Sequence, residues 1–173
     1  MSITLNRNNR VRNAAKWIVI LLVFITAFFA NRTYQGKLGK QALSAIEFEI
    51  FDLADARVKA KIENKLILAN LSAIHCSICR KLDSQVFADI QVKKRIERDY
   101  IYARVDYQSE QGKTFMLDYR VSGFPVLLVL DENGHKLTRL PLTFSAQEFA
   151  TNLNLVAAVY SEELAANSDS AGN

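Results

Sequence analysis

The stretch Leu71–Arg80, LSAIHCSICR, holds both cysteines of the chain, Cys76 and Cys79, with Ser77 and Ile78 between them. Upstream lies KLILANLSA, an apolar run of strand length that belongs in the centre of a sheet. Downstream, CRKLDSQVF turns helical. A cysteine at the point where a buried strand gives way to a helix faces unpaired backbone amides and the positive end of the helix dipole. Both stabilise a thiolate, which suits Cys76 to act as a nucleophile. Cys79, one turn on and on the more buried side, is suited to resolve a mixed disulfide by attacking Cys76.

The other uses of a close cysteine pair fit less well. A c-type haem needs histidine directly after the second cysteine, where this chain has Arg80. Structural zinc needs four ligands, and beyond the two thiols there are only His75, adjacent to Cys76, and His135, beside a distant turn where it is expected to be solvated. Copper held by the two thiols alone is the residual metal reading. A purely structural disulfide gains little from so short a loop.

The net charge of +4 over 173 residues invites a nucleic-acid reading, but its placement argues against one. Residues 1–40 carry Arg7, Arg10, Arg12, Lys16, Arg32, Lys37 and Lys40 and no acid, which leaves 15 basic against 18 acidic residues beyond. The basic character therefore belongs to an N-terminal tail, residues 1–16, expected to be cytoplasmic. Between charged flanks, Trp17–Ala30 (WIVILLVFITAFFA) is free of charge. With Ala14 and Ala15 added and Lys16 snorkelling, it covers roughly 25 Å of the roughly 30 Å bilayer core. Residues 14–30 thus form a membrane anchor or an uncleaved signal, since Phe28 and Phe29 spoil the small-residue pattern that cleavage needs. Four basic residues before the segment against three after it favour an inside N-terminus.

Residues 31–42 carry two glycines and three cations and read as a flexible tether, with a single globular domain over residues 43–160 and a disordered tail, residues 161–173. Within the domain, AIEFEIFDL and YIYARVDY alternate as half-buried strands, and VLLVL is a second buried strand. DENG, with Asn133-Gly134, predicts a hairpin turn leading to an edge strand that ends near Pro141. SAQE predicts a capping box, in which Glu148 reaches back to Ser145, opening a last helix striped by Phe149, Leu153, Val156 and Tyr160. The order of elements implies an α/β fold with a mixed central sheet and helices on both faces, preceded by one transmembrane helix. Phe115, Tyr119 and Tyr107 are expected at the core and its rim.

These residues resemble the thioredoxin superfamily, in particular its membrane-anchored, periplasmic branch. The likeness is carried by Ala73, Cys76, Cys79, Arg80 and Leu82, by SQVFADIQV and YARVDY, and by YRVSGFPVLLVLDENG, whose Pro125 follows Cys79 by forty-six positions. It covers roughly residues 45–157 and is similar to the C-terminal domain of the transmembrane thiol-disulfide interchange protein. The resemblance implies a thioredoxin-like fold, a cis-Pro125 packed against the disulfide, and a backbone at Phe124 exposed for pairing with a substrate strand. It also implies a protein-disulfide oxidoreductase of reductase type, because the interval between Cys79 and Pro125 leaves no room for the large helical insertion of the oxidising branch.

Three positions depart from the family pattern. His75 stands where tryptophan is frequent, and a cation there would push the pair towards oxidation. Asn70 replaces the buried acid six residues before the nucleophile, and a neutral amide cannot take the resolving thiol's proton. Ser77-Ile78 is an unfamiliar dipeptide at the position that tunes potential.

The implied activity is reduction of disulfides in envelope proteins, with no cofactor and no metal, at the cytoplasmic membrane with the domain facing the periplasm. One apolar segment cannot relay electrons, so a transmembrane electron donor is the second implied partner. Two alternatives stand beside this: a disulfide oxidase or isomerase, favoured by His75 and Asn70, and a non-catalytic assembly or metal-chaperone module.

Overall fold

The structure, a computed structural model, describes residues 4–171, and the side chains of residues 12–166. Residues 1–3 of the basic tail and residues 172–173 of the expected disordered tail lie outside the described residues. Helix α1 spans Thr4–Ser44, followed by α2 (Leu53–Glu63), β1 (Leu66–Ser72) and α3 (Ser77–Leu82). A five-residue π-helical turn, Asp83–Phe87, leads to α4 (Ile90–Asp99), β2 (Tyr100–Asp106) and α5 (Glu110–Asp118). The chain closes with β3 (Val126–Leu130), β4 (Lys136–Arg139) and α6 (Ala146–Ala171).

Sheet order is β2-β1-β3-β4, with β1 parallel to β2 and antiparallel to β3, and β3 antiparallel to β4. Every residue of β1 is buried, as a strand covered on both faces must be. Its alternation feeds two separate cores. Leu66 and Leu68 face Phe87, Val92, Ile96, Phe149 and Leu153, on the side of α3, α4 and α6. Ile67, Ala69 and Leu71 face Leu53, Ala56, Ala60 and Phe115, on the side of α2 and α5. Phe48, Phe87, Tyr102 and Phe149 meet edge to face in the first core, with centroid separations of 5.0 to 6.3 Å.

The polar ends of the elements are closed locally. Asp52, Asp89 and Ser109 cap α2, α4 and α5 by accepting backbone N–H groups. Gly134 adopts φ +89° in the β3–β4 turn, and its carbonyl accepts from Tyr119 Oη at 2.8 Å.

Four expectations need correction. The segment AIEFEIFDL forms no regular strand: Ile46 and Phe48 are buried, but pairing is confined to Phe51, which bridges to Ala103 of β2. Residues 31–42 are not an irregular tether, because α1 continues without a break to Ser44. Gly36 and Gly39 serve close packing there rather than flexibility: a Cβ on Gly39 would collide with the Ile74 carbonyl oxygen, and one on Gly36 would lie 3.1 Å from the His75 ring. Residues 161–171 of the expected disordered tail are helical, continuing α6 through good helix formers such as Glu162, Glu163, Leu164 and Ala165. The capping box is incomplete, since Ser145 accepts the Glu148 amide but the Glu148 carboxylate accepts from the Thr143 hydroxyl instead.

Candidate active site

Burial of β1 ends at Ala73, and the chain turns through Ile74 and His75 into α3. Cys76 is the N-cap of that helix: its backbone is extended, and its Sγ accepts the Cys79 amide at 3.0 Å. A cap sulfur so placed receives a donor that the helix start leaves without an intrahelical partner. Cys76 is half-buried, whereas Cys79 is 1% exposed, and the two sulfurs are not bonded to each other. Burial, together with the neighbouring Cys76, pushes the Cys79 thiol up to about 11, against hydrogen bonds from Ser72 and the Ala73 backbone that favour its thiolate.

Ser77 and Ile78 lie exposed on the first turn of α3. His75 is half-buried beside Gly36 of α1, with its Nδ1 enclosed and without a hydrogen-bond partner among the described residues. Asn70 is buried, and its Nδ2 donates to Tyr102 Oη at 2.7 Å.

Pro125 precedes β3, whose Val126 pairs with Leu71, so Phe124 and Pro125 sit at the same sheet edge from which the chain leaves for the cysteines. The Phe124–Pro125 peptide bond is cis. Phe124 is partly exposed, and its ring lies 4.4 Å from that of Tyr107, whose backbone amide donates to the Ser72 carbonyl. Phe115 and Tyr119 are core residues of the α5 side, away from this rim.

Three mutually bonded polar residues on the α3 side of the sheet escaped the sequence reading. Asp83, on the π turn, is buried and pairs with Arg104 Nη1 at 2.9 Å. Arg104 Nη2 donates to Ser72 Oγ at 2.8 Å. Burial raises the Asp83 carboxyl above its ordinary value despite that ion pair. A signal was present: Tyr100, Tyr102 and Arg104 alternate on one face of β2, so Arg104 follows two buried tyrosines and must find partners inside. Among the described residues, no three His, Cys, Asp or Glu side chains gather as metal ligands would.

The model of the thioredoxin-like domain family matches residues 53–157. The chain belongs to that family. Its thioredoxin-like domain holds β1, both cysteines and Pro125, while α1 lies outside the matched residues.

Among its relatives, the thiol:disulfide interchange protein DsbD of Haemophilus ducreyi is 24% identical over 160 residues, covering 87% of this chain and 28% of that protein. DsbD of Colwellia psychrerythraea is 25% identical over 151 residues, covering 79% and 25%. The chain thus spans about a quarter of the length of these curated relatives. Among solved structures, a thioredoxin from Thermus thermophilus superposes with a TM-score of 0.58 at 21% identity, over 63% of this chain and 86% of that one. The oxidised DsbD C-terminal domain of Neisseria meningitidis gives 0.53 at 16% identity, over 62% and 98%. Both likenesses establish the thioredoxin-like fold.

Proposed function

We propose that this chain is a membrane-anchored thiol-disulfide oxidoreductase that reduces disulfides in envelope proteins. The observation that carries the reading is the asymmetry of the pair: Cys76 half-exposed and capped by an amide, Cys79 buried one turn behind it.

In this mechanism the Cys76 thiolate attacks one sulfur of a substrate disulfide, forming a mixed disulfide and releasing the other substrate sulfur as a thiolate. The Cys79 sulfur then attacks Cys76 Sγ, and the bond between Cys76 and the substrate breaks. The substrate ends as two thiols and the pair as a disulfide, so two electrons have moved. The amide on Cys76 Sγ stabilises that sulfur as the attacking thiolate, and in the resolving step the substrate sulfur is the leaving group. Phe124 and Pro125, at the adjoining sheet edge, are the proposed docking backbone for a substrate strand.

Helix α1 is, among the described residues, the one helix long and apolar enough to cross a membrane, with its apolar side chains exposed. Its reading as an anchor at the cytoplasmic membrane, with the domain on the periplasmic side, is part of the proposal. The relatives' name, thiol:disulfide interchange protein, supports the redox part of the proposal. The pair would be re-reduced by a separate membrane donor.

The deciding experiment is acid-quenched alkylation of Cys76 and Cys79 in growing cells, with and without the host's transmembrane electron donor. Thiols that become a disulfide when the donor is removed support a reductase. A disulfide in both conditions overturns that direction in favour of an oxidase or a module that does not cycle.

A further inference from the structure

Helix α1 is joined to the domain along one stripe. Gly36 lies against the His75 ring, Gly39 against the Ile74 carbonyl oxygen, and Leu43 packs on the core of the α3 side. Intervals of three and four residues put these positions on one face of the helix. Ile46, just past the end of α1, is buried in the same core. Across a shallow groove, Leu38, Gln41 and Ala42 of α1 face Ser77, Arg80 and Lys81 of α3, so the two helices run side by side.

The helix is unbroken from the apolar segment to Ser44, so its rise sets the height of the domain above that segment. Trp17 and Tyr34, both exposed, stand at the two ends of the apolar run, as aromatic side chains do at the two interfaces of a bilayer. Gly36 and Gly39 follow Ala30 by six and nine positions, which puts the His75 and Ile74 contacts roughly 9 and 14 Å beyond the run along the helix axis. A headgroup layer is roughly 5 to 8 Å thick on each side of the hydrocarbon core. The loop that presents Cys76 thus meets the water edge of the headgroups. Charge agrees with this placement: residues 31–46 carry Arg32, Lys37 and Lys40 and no acid, a composition drawn to anionic lipid. Ile78, on the first turn after Cys76, is 48% exposed and adds an apolar contact beside the nucleophile.

We propose that α1 is a rigid post that sets the height of Cys76, and that the pair acts on a disulfide of a membrane protein held at the bilayer surface, within about 15 Å of the hydrocarbon edge. The proposal rests on the readings that α1 is an anchor and that the cysteine pair cycles. It accounts for two features that a loose anchor leaves unexplained, the helix that replaces a tether and the glycines at the two points of closest approach.

The test uses the reduced full chain in phosphatidylcholine vesicles containing a phosphatidylethanolamine whose headgroup amine carries a pyridyl disulfide. The Cys76 thiolate bonds to the lipid-side sulfur and pyridine-2-thione leaves, which gives the signal. Cys79 then bonds to Cys76, and the departing lipid thiolate takes the Cys79 proton, so the pair loses two electrons and the probe gains them. Membrane-permeant dipyridyl disulfide, in vesicles without the probe lipid, reports the reactivity of the pair irrespective of height. A helix-forming heptad of Ala, Glu and Lys inserted between Arg32 and Thr33 lifts the domain by roughly 10 Å and turns it by only roughly 20°. It is expected to slow the lipid-borne reaction about tenfold, because the probe no longer spans the gap, and to leave the soluble reaction within about twofold. A Gly-Ser insertion of equal length lets the domain drop back and should hold the lipid-borne rate within about threefold of wild type. A lipid-borne rate that survives the helical heptad, or equal loss in both insertions, overturns the proposal. Wild-type protein that reacts with the soluble probe but not the lipid-borne one overturns it as well. No thione from either probe overturns the cycling-pair reading instead, and protein that alkaline carbonate washes off the vesicles overturns the anchor reading.

Discussion

Gly39 of α1 packs directly on the carbonyl oxygen of Ile74, two residues before Cys76. The helix that carries the apolar segment therefore does not merely lead to the domain; its last turns are seated on the loop that presents the nucleophile. Residue 36 is six positions beyond Ala30, so the His75 ring it touches is held roughly 9 Å along the helix axis from the end of the apolar run.

Gly39→Leu forces the helix off that loop. The expected result is a loss of about 1 to 3 kcal/mol in stability and faster hydrogen exchange in residues 34–44 and 73–76, with the sheet unaffected. Exchange in both segments equal to wild type would show that the seat is unimportant.

The high Cys79 value has a consequence for stability. The folded, reduced protein holds that proton up to about pH 11, whereas an unfolded chain with the ordinary value of 9.0 loses it earlier. Below pH 9 the contribution is complete, and it is lost as pH rises through 11, a change of about 2 to 3 kcal/mol. Comparing thermal midpoints of reduced wild type and Cys79→Ala across this window isolates the group. The wild-type midpoint should fall relative to the variant with rising pH, and a constant difference would contradict the burial argument.

Phe87 joins three other rings, Phe48, Tyr102 and Phe149, under the π turn. Phe87→Ala should cost about 3 to 5 kcal/mol, measured by urea unfolding of the reduced chain. A loss below about 1 kcal/mol would mean that the turn is not held by this cluster.

Much of the fold was legible because its signals are local. β1 announces itself as an unbroken apolar run and the β3–β4 hairpin by Asn133-Gly134, whereas β2, expected to be half-buried, has Tyr100, Ile101, Tyr102 and Ala103 all buried, so both its faces are covered. The first strand was misread for the opposite reason. Ile46 and Phe48 alternate correctly, but the segment meets the sheet only at Phe51, and a strand exists only where a partner ladder receives it. Gly36 and Gly39 were read as flexibility because a glycine needed for close approach looks the same in sequence as one needed for a loop.

By itself the sequence determined the cysteine pair, the buried strand that delivers it, the proline forty-six residues later and the apolar segment, all features written within a few neighbouring residues. Only the tertiary structure decided which polar side chains meet on the α3 side of the sheet. Ser72, Asp83 and Arg104 come from a strand, a turn and a second strand, and no periodicity links them. They meet because a buried charge must be partnered wherever the fold places it, and that placement is settled by the packing of distant segments.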